Sequence, residues 1–92
     1  MFTKIIKRDG REVAFDETKI TDAIFAAAQA VGGADRGMAM RLTLNVMDAL
    51  KEKYGEEPFT VEDVQDTAEK VLIENGHAAT AKAYILYRAE RT

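Results

Sequence analysis

The chain has 92 residues and not one cysteine. That single absence excludes a disulfide framework, a thiolate metal site, a cysteine nucleophile and a thiyl radical. Proline is almost as scarce, and the lone Pro58 falls in a loop where it interrupts no periodic segment. No apolar run approaches the ~20 residues that span a bilayer, and the N-terminus lacks the long apolar stretch of a signal peptide. A soluble, cytoplasmic chain with no membrane partner is therefore expected. Phosphate-loop and dinucleotide patterns are also missing: there is no G-x-x-x-x-G-K-[ST] and no G-x-G-x-x-G. The single His77 has no metal-ligand companion and reads as a polar residue at a helix start. The carboxylates are numerous, but none is paired as a general acid and base, and solvated helix faces account for them. An enzyme in its own right is disfavoured by these gaps.

What is present is enough apolar material for one core, since 47% of the residues are hydrophobic. Charge is distributed unevenly. Residues 1–11 carry Lys4, Lys7, Arg8 and Arg11 against Asp9 alone, a net +3, so the rest of the chain contributes −6 to the overall −3. An acidic body argues against nucleic acid as a partner, because that mode needs a basic face matched to many phosphates. A compact polyanion suits the basic end better.

Two β-forming stretches flank Asp9-Gly10, a strong two-residue hairpin signal. With Asp9 and Gly10 as the loop, Ile6 faces Val13 and Ile5 faces Ala14. Ile6, Val13 and Phe15 then form a core face, while Ile5, Ala14 and Lys7 form a second face able to receive a ring and a phosphate. Asp16 starts a helix over residues 17–31, with Ile20, Ala23, Ile24, Ala27, Ala28 and Val31 as its apolar stripe and Gly32-Gly33 as its stop. Asp35 caps a second over 36–53, carried by Ala39, Leu42, Val46, Ala49 and Leu50. Thr60 to Asp63 is a capping-box start for a third over 61–75, with Val61, Val64, Ala68, Val71 and Leu72 inward and Asn75-Gly76 at its close. An Ala-rich fourth spans 77–91. The expected fold is mainly α with a small β-hairpin over residues 3–15, a ribbon capping a four-helix bundle in a single domain over residues 1–92.

Lys7 and Arg8 project from a rigid turn, and Lys19 lies in the first turn of the first helix, where free N–H groups and the helix dipole favour an anion. By composition alone such a tip is an ordinary soluble turn. The order of residues says more. Ile5-Ile6-Lys7-Arg8-Asp9-Gly10, followed by Phe15-Asp16 and Lys19-Ile20, closely resembles the opening of the ATP-cone domain. The segments Thr60 to Ile73 and Ala81 to Arg88 are similar to that family's third and fourth helices, so the resemblance covers nearly the whole chain; residues 33–57 are generic.

The resemblance implies a hairpin ribbon over a four-helix bundle, in agreement with the periodicity. It also implies an allosteric domain that binds ATP or dATP, with or without Mg²⁺, ahead of the catalytic domain of a ribonucleotide reductase. There ATP favours activity and dATP stops it by changing subunit assembly, so homo-oligomers are among the expected partners. The segment Gly76 to Arg91 is most similar to cones of the anaerobic and cobalamin-dependent reductases. Position by position, Ile5, Lys7, Arg8, Asp16, Lys19 and Gln65 match nucleotide-contacting positions: Lys7, Arg8 and Lys19 for phosphates, Ile5 against the base, and Gln65 for the adenine edge. Asp16 is equally an N-cap. Tyr87 and Arg91 match less closely, and Arg91 also suits the C-terminal dipole of the last helix. The rival readings are a stand-alone helical interaction module with a basic tip, and the nucleotide-sensing part of a transcription repressor, whose four-cysteine zinc ribbon this chain lacks. The chain begins and stops where cones do, as an excised domain or a natural short protein would.

Overall fold

The β-formers on either side of Asp9-Gly10 pair as an antiparallel ribbon of β1 (Lys4–Ile6) and β2 (Glu12–Ala14). The computed structural model describes residues 4–33 and 35–90. Thr3 and Arg91, placed by sequence in the ribbon and the last helix, lie outside the described residues.

The register of the ribbon differs from the expected one by one residue: Lys4 pairs with Ala14, Ile5 with Val13 and Ile6 with Glu12. The turn is wider than two residues. Lys7 N–H donates to the Arg11 carbonyl at 2.8 Å and Gly10 N–H to the Lys7 carbonyl at 2.9 Å, enclosing Arg8, Asp9 and Gly10. Gly10 sits at φ 87°, the left-handed region that a three-residue hairpin loop places at its last position. Asp9 favours this wider loop, because its carboxylate accepts from Arg11 N–H at 3.1 Å and Arg11 Nε at 2.6 Å. Strand side chains alternate, so a one-residue slip exchanges the two faces. Ile5, not Ile6, therefore points inward with Val13 and Phe15, and Ile5 is 8% exposed while Ile6 is half-buried and Ala14 exposed.

Four helices follow: α1 (Glu17–Ala30), α2 (Arg36–Tyr54), α3 (Val61–Glu74) and α4 (Ala78–Glu90). Each of the first three starts on a side-chain cap. Asp16 accepts from Thr18 N–H, Asp35 from Met38 N–H, and Thr60 and Asp63 exchange both bonds of a capping box. Around the bundle α1 packs on α2 and α4, and α3 packs on α2 and α4. The apolar stripes meet at Ile24, Val46, Leu50 and Leu72, all fully buried. Val31 is the exception among the expected inward residues of α1 to α3. It caps the end of α1 and lies 46% exposed.

Two core features escape a hydrophobic pattern. Thr21 of α1 and Thr43 of α2 are buried and share a hydroxyl hydrogen bond of 2.7 Å, and Thr43 also donates to the Ala39 carbonyl. Phe59, in the loop before α3, is buried between Tyr54 and an edge-on Phe15, 5.6 and 5.7 Å away between ring centroids. That loop also fastens the ribbon: Ile6 N–H donates to the Phe59 carbonyl at 3.1 Å, and Ile6 forms a parallel bridge with Thr60. The tip of the hairpin is thus held over the N-terminus of α3. Among the described residues no helix is long and apolar enough to cross a membrane.

Candidate functional site

A cleft of about 440 Å³ opens where the hairpin tip meets α3 and α4, lined by Lys7, Arg8, Asp9, Arg11, Val61, Gln65 and Arg88. Four cations face one carboxylate there, so the basic end of the chain is folded into a concave site instead of being spread on a surface. Asp9 offsets Arg11 most directly: its carboxyl is held below the usual range by the Arg11 backbone N–H and then by the Arg11 guanidinium, so it stays charged and bonded there. A larger groove of about 620 Å³ between α2 and α3 has Glu52, Asp63, Asp66 and Glu74 against Lys53 and Lys70. Its charge balance turns anions away, and so the smaller cleft is the candidate.

Three of the residues expected from sequence meet in this cleft. Lys7 and Arg8 come from the turn, and Gln65 comes from α3 one turn past Val61. Gln65 Oε1 is buried and has no hydrogen-bond partner among the described residues. A buried acceptor with no protein partner is costly unless water or a ligand supplies a donor. The Arg8 Nε–H donates to Glu62 Oε1 at 2.7 Å, which ties the turn to the first turn of α3.

The other expected residues lie apart from the cleft lining. Ile5 belongs to the core beneath the ribbon. Asp16 is the N-cap of α1, accepting from the Thr18 hydroxyl and from Thr18 N–H at 3.0 Å, and these bonds hold its carboxyl below the ordinary value. Lys19 is exposed in the first turn of α1, and Tyr87 is half-buried on α4.

Sequence reasoning missed Arg11, Val61 and Arg88. Arg88 stood in a quoted family segment but had no assigned role; its position offered a signal, since it continues the buried stripe of Ala81 and Tyr84 one turn on. A cation on an inward stripe needs partners. Arg88 donates to Asp66 at 2.9 Å and Glu69 at 2.5 Å, clasping α4 to α3. Burial opposes its charge, but those two bonds outweigh burial and hold its pKa above the usual value. Tyr84 beside it is pushed up to about 12 by burial and stays a neutral phenol.

This geometry defines a class: a helical bundle with a cationic, hairpin-topped cleft and an acceptor that awaits a donor. Comparison with known proteins narrows it. The ATP cone domain model matches residues 3–92, and the chain belongs to that family. Relatives include the vitamin B12-dependent ribonucleoside-diphosphate reductase of Thermoplasma acidophilum, 41% identical across 99% of this chain but 12% of that protein. The ribonucleoside-diphosphate reductase subunit alpha of Chlamydia pneumoniae is 35% identical across 95% of this chain and 9% of its own length. The anaerobic ribonucleoside-triphosphate reductase of Escherichia coli is 29% identical across 99% of this chain and 12% of its own. The chain therefore spans about a tenth of the length of these relatives.

Proposed function

We propose that this chain is the adenine-nucleotide-binding regulatory domain of a cytoplasmic ribonucleotide reductase, setting the enzyme's activity through assembly that depends on the bound nucleotide. The observation that carries the reading is the cleft itself, where Lys7, Arg8, Arg11 and Arg88 surround a Gln65 Oε1 that lacks a donor. A nucleoside triphosphate meets both demands. Its phosphates engage the guanidinium and ammonium groups, and the amino group of adenine supplies N–H to the amide oxygen. The cleft volume falls within the ordinary range for small-molecule sites. The acidic remainder of the chain turns other polyanions, nucleic acids included, away from the rest of the surface.

In this role Lys7 and Arg8 hold phosphates. The chain does no chemistry of its own, and its partner is the catalytic part of the reductase. A micromolar site corresponds to about −7 to −8 kcal/mol of binding. Only the difference between ATP and dATP, on the order of 1–3 kcal/mol, is available to bias assembly. Calorimetric titration with ATP and dATP, with and without Mg²⁺, combined with light scattering for molar mass, tests the reading. Saturable binding of both, with dATP at least as tight and the more strongly associating, is expected. Heat of dilution alone sinks it and leaves a helical interaction module. Equal mass with both ligands removes the switch from this domain but not the binding.

A further inference from the structure

The pair Arg8–Glu62 shares a sequence offset with the backbone bridge beside it. Ile6 pairs with Thr60 in parallel, and Arg8 bonds to Glu62, each 54 residues apart. The ribbon and the start of α3 are thus zipped in one register, first by backbone and then by side chains. Glu62 is anchored at its own end, since it lies in the first turn of α3, where the helix dipole favours a carboxylate. Its Oε1 accepts from Arg8 Nε, while Oε2 is buried with no hydrogen-bond partner among the described residues.

From this arrangement we propose that Glu62 is a positioning residue for the nucleotide site, fixing Arg8 by its Nε so that the other guanidinium donors stay available to phosphate. The proposal rests on the reading of the cleft as a nucleotide site. Were Arg8 to swing free to follow a ligand, Glu62, with its Oε2 already buried and without a partner among the described residues, would lose the counter-charge on its other oxygen, which opposes release. Arg8 therefore keeps its bond to Glu62 when an anion arrives, and phosphate meets a guanidinium already oriented. A long side chain at an exposed turn otherwise loses rotamer entropy on binding, and the tether removes that loss beforehand. The alternative role, a competitor that phosphate must displace, predicts the opposite sign on mutation.

The test titrates ATP and inorganic triphosphate into the unmodified chain, Glu62→Ala, Glu62→Gln, Arg8→Ala and the Glu62→Ala/Arg8→Ala double variant. Glu62→Ala is expected to weaken both ligands by on the order of five- to tenfold. Glu62→Gln keeps an oxygen for the Arg8 Nε–H and is expected to stay within about twofold of the parent. The double variant should bind no more weakly than Arg8→Ala alone, because Glu62 acts only through Arg8. Glu62→Ala binding as tightly as the parent or tighter, or the two losses adding in full, overturns the proposal. A nuclear magnetic resonance measurement of the Arg8 Nε–H in the ligand-free chain separates this from the wider reading. Slow exchange in the parent that becomes fast in Glu62→Ala supports the tether even if neither ligand binds, whereas fast exchange in the parent refutes it.

Discussion

The two ends of α3 illustrate different uses of one helix. Its C-terminal half gives Ala68, Val71 and Leu72 to the core, where shape and area decide, with Glu69 beside them held by Arg88 of α4. Its N-terminal half gives Val61 and Gln65 to the cleft and Glu62 to Arg8, where polar groups are held in fixed places with hydrogen-bonding capacity unspent. Packing fixes where the helix lies, and the charged end uses that rigidity to hold a site. The contrast predicts that stability and ligand affinity are separable along this helix.

The largest expected effect is at the core end. Leu72 is fully buried, and Leu72→Ala should cost about 2–5 kcal/mol of stability through lost transfer energy and the cavity left behind. Chemical denaturation measures it. Affinity per folded molecule should be unchanged, and a matching loss of affinity would dissolve the contrast between the two ends.

Next comes the cleft. Lys7→Ala should weaken triphosphate binding by about 1–3 kcal/mol, since one charge-assisted contact is lost, while the melting temperature hardly moves. Unchanged affinity in calorimetry, with an unchanged circular dichroism spectrum, would show that phosphate does not sit at the turn.

Gly10 links the two behaviours. At φ 87° a β-branched side chain is strained although the space around it is open, so Gly10→Val should cost about 1–3 kcal/mol and lower the melting temperature. Binding should fall only as the hairpin does. A valine variant that melts like the parent would mean that the turn tolerates either conformation.

The smallest effect is a pH dependence at the cap of α3. The Thr60 backbone N–H bonds to the Asp63 carboxylate and, against some burial, holds its pKa below the unfolded value. A lowered folded-state pKa contributes stability above the unfolded pKa, and that contribution disappears as pH falls through the folded one. The parent should therefore lose melting temperature below about pH 4 more steeply than Asp63→Asn does. Parallel curves would show that the capping box contributes no charge-dependent stability.

Much of this molecule was legible in one dimension. Helix starts were marked by Asp16, Asp35 and Thr60 and stops by glycines, because a cap satisfies backbone groups within a few residues of itself. The stripes of α1 to α3 followed from the helical period for the same local reason. The resemblance carried by Lys7-Arg8-Asp9-Gly10 agreed with the family that the whole chain matches. The hairpin register was not legible, because Asp9-Gly10 suits a two-residue and a three-residue loop alike. Burial of Ile5 with Val13 and Phe15, and the Asp9–Arg11 bonds, selected the second. Nor could local pattern place Arg88 and Glu62 beside Arg8, since those contacts join residues far apart in the chain, and it was the resemblance alone that put Gln65 in one site with Arg8. Whether a charged side chain lines a cleft or faces open water depends on which helices become neighbours, and that is decided when the apolar stripes find their common core.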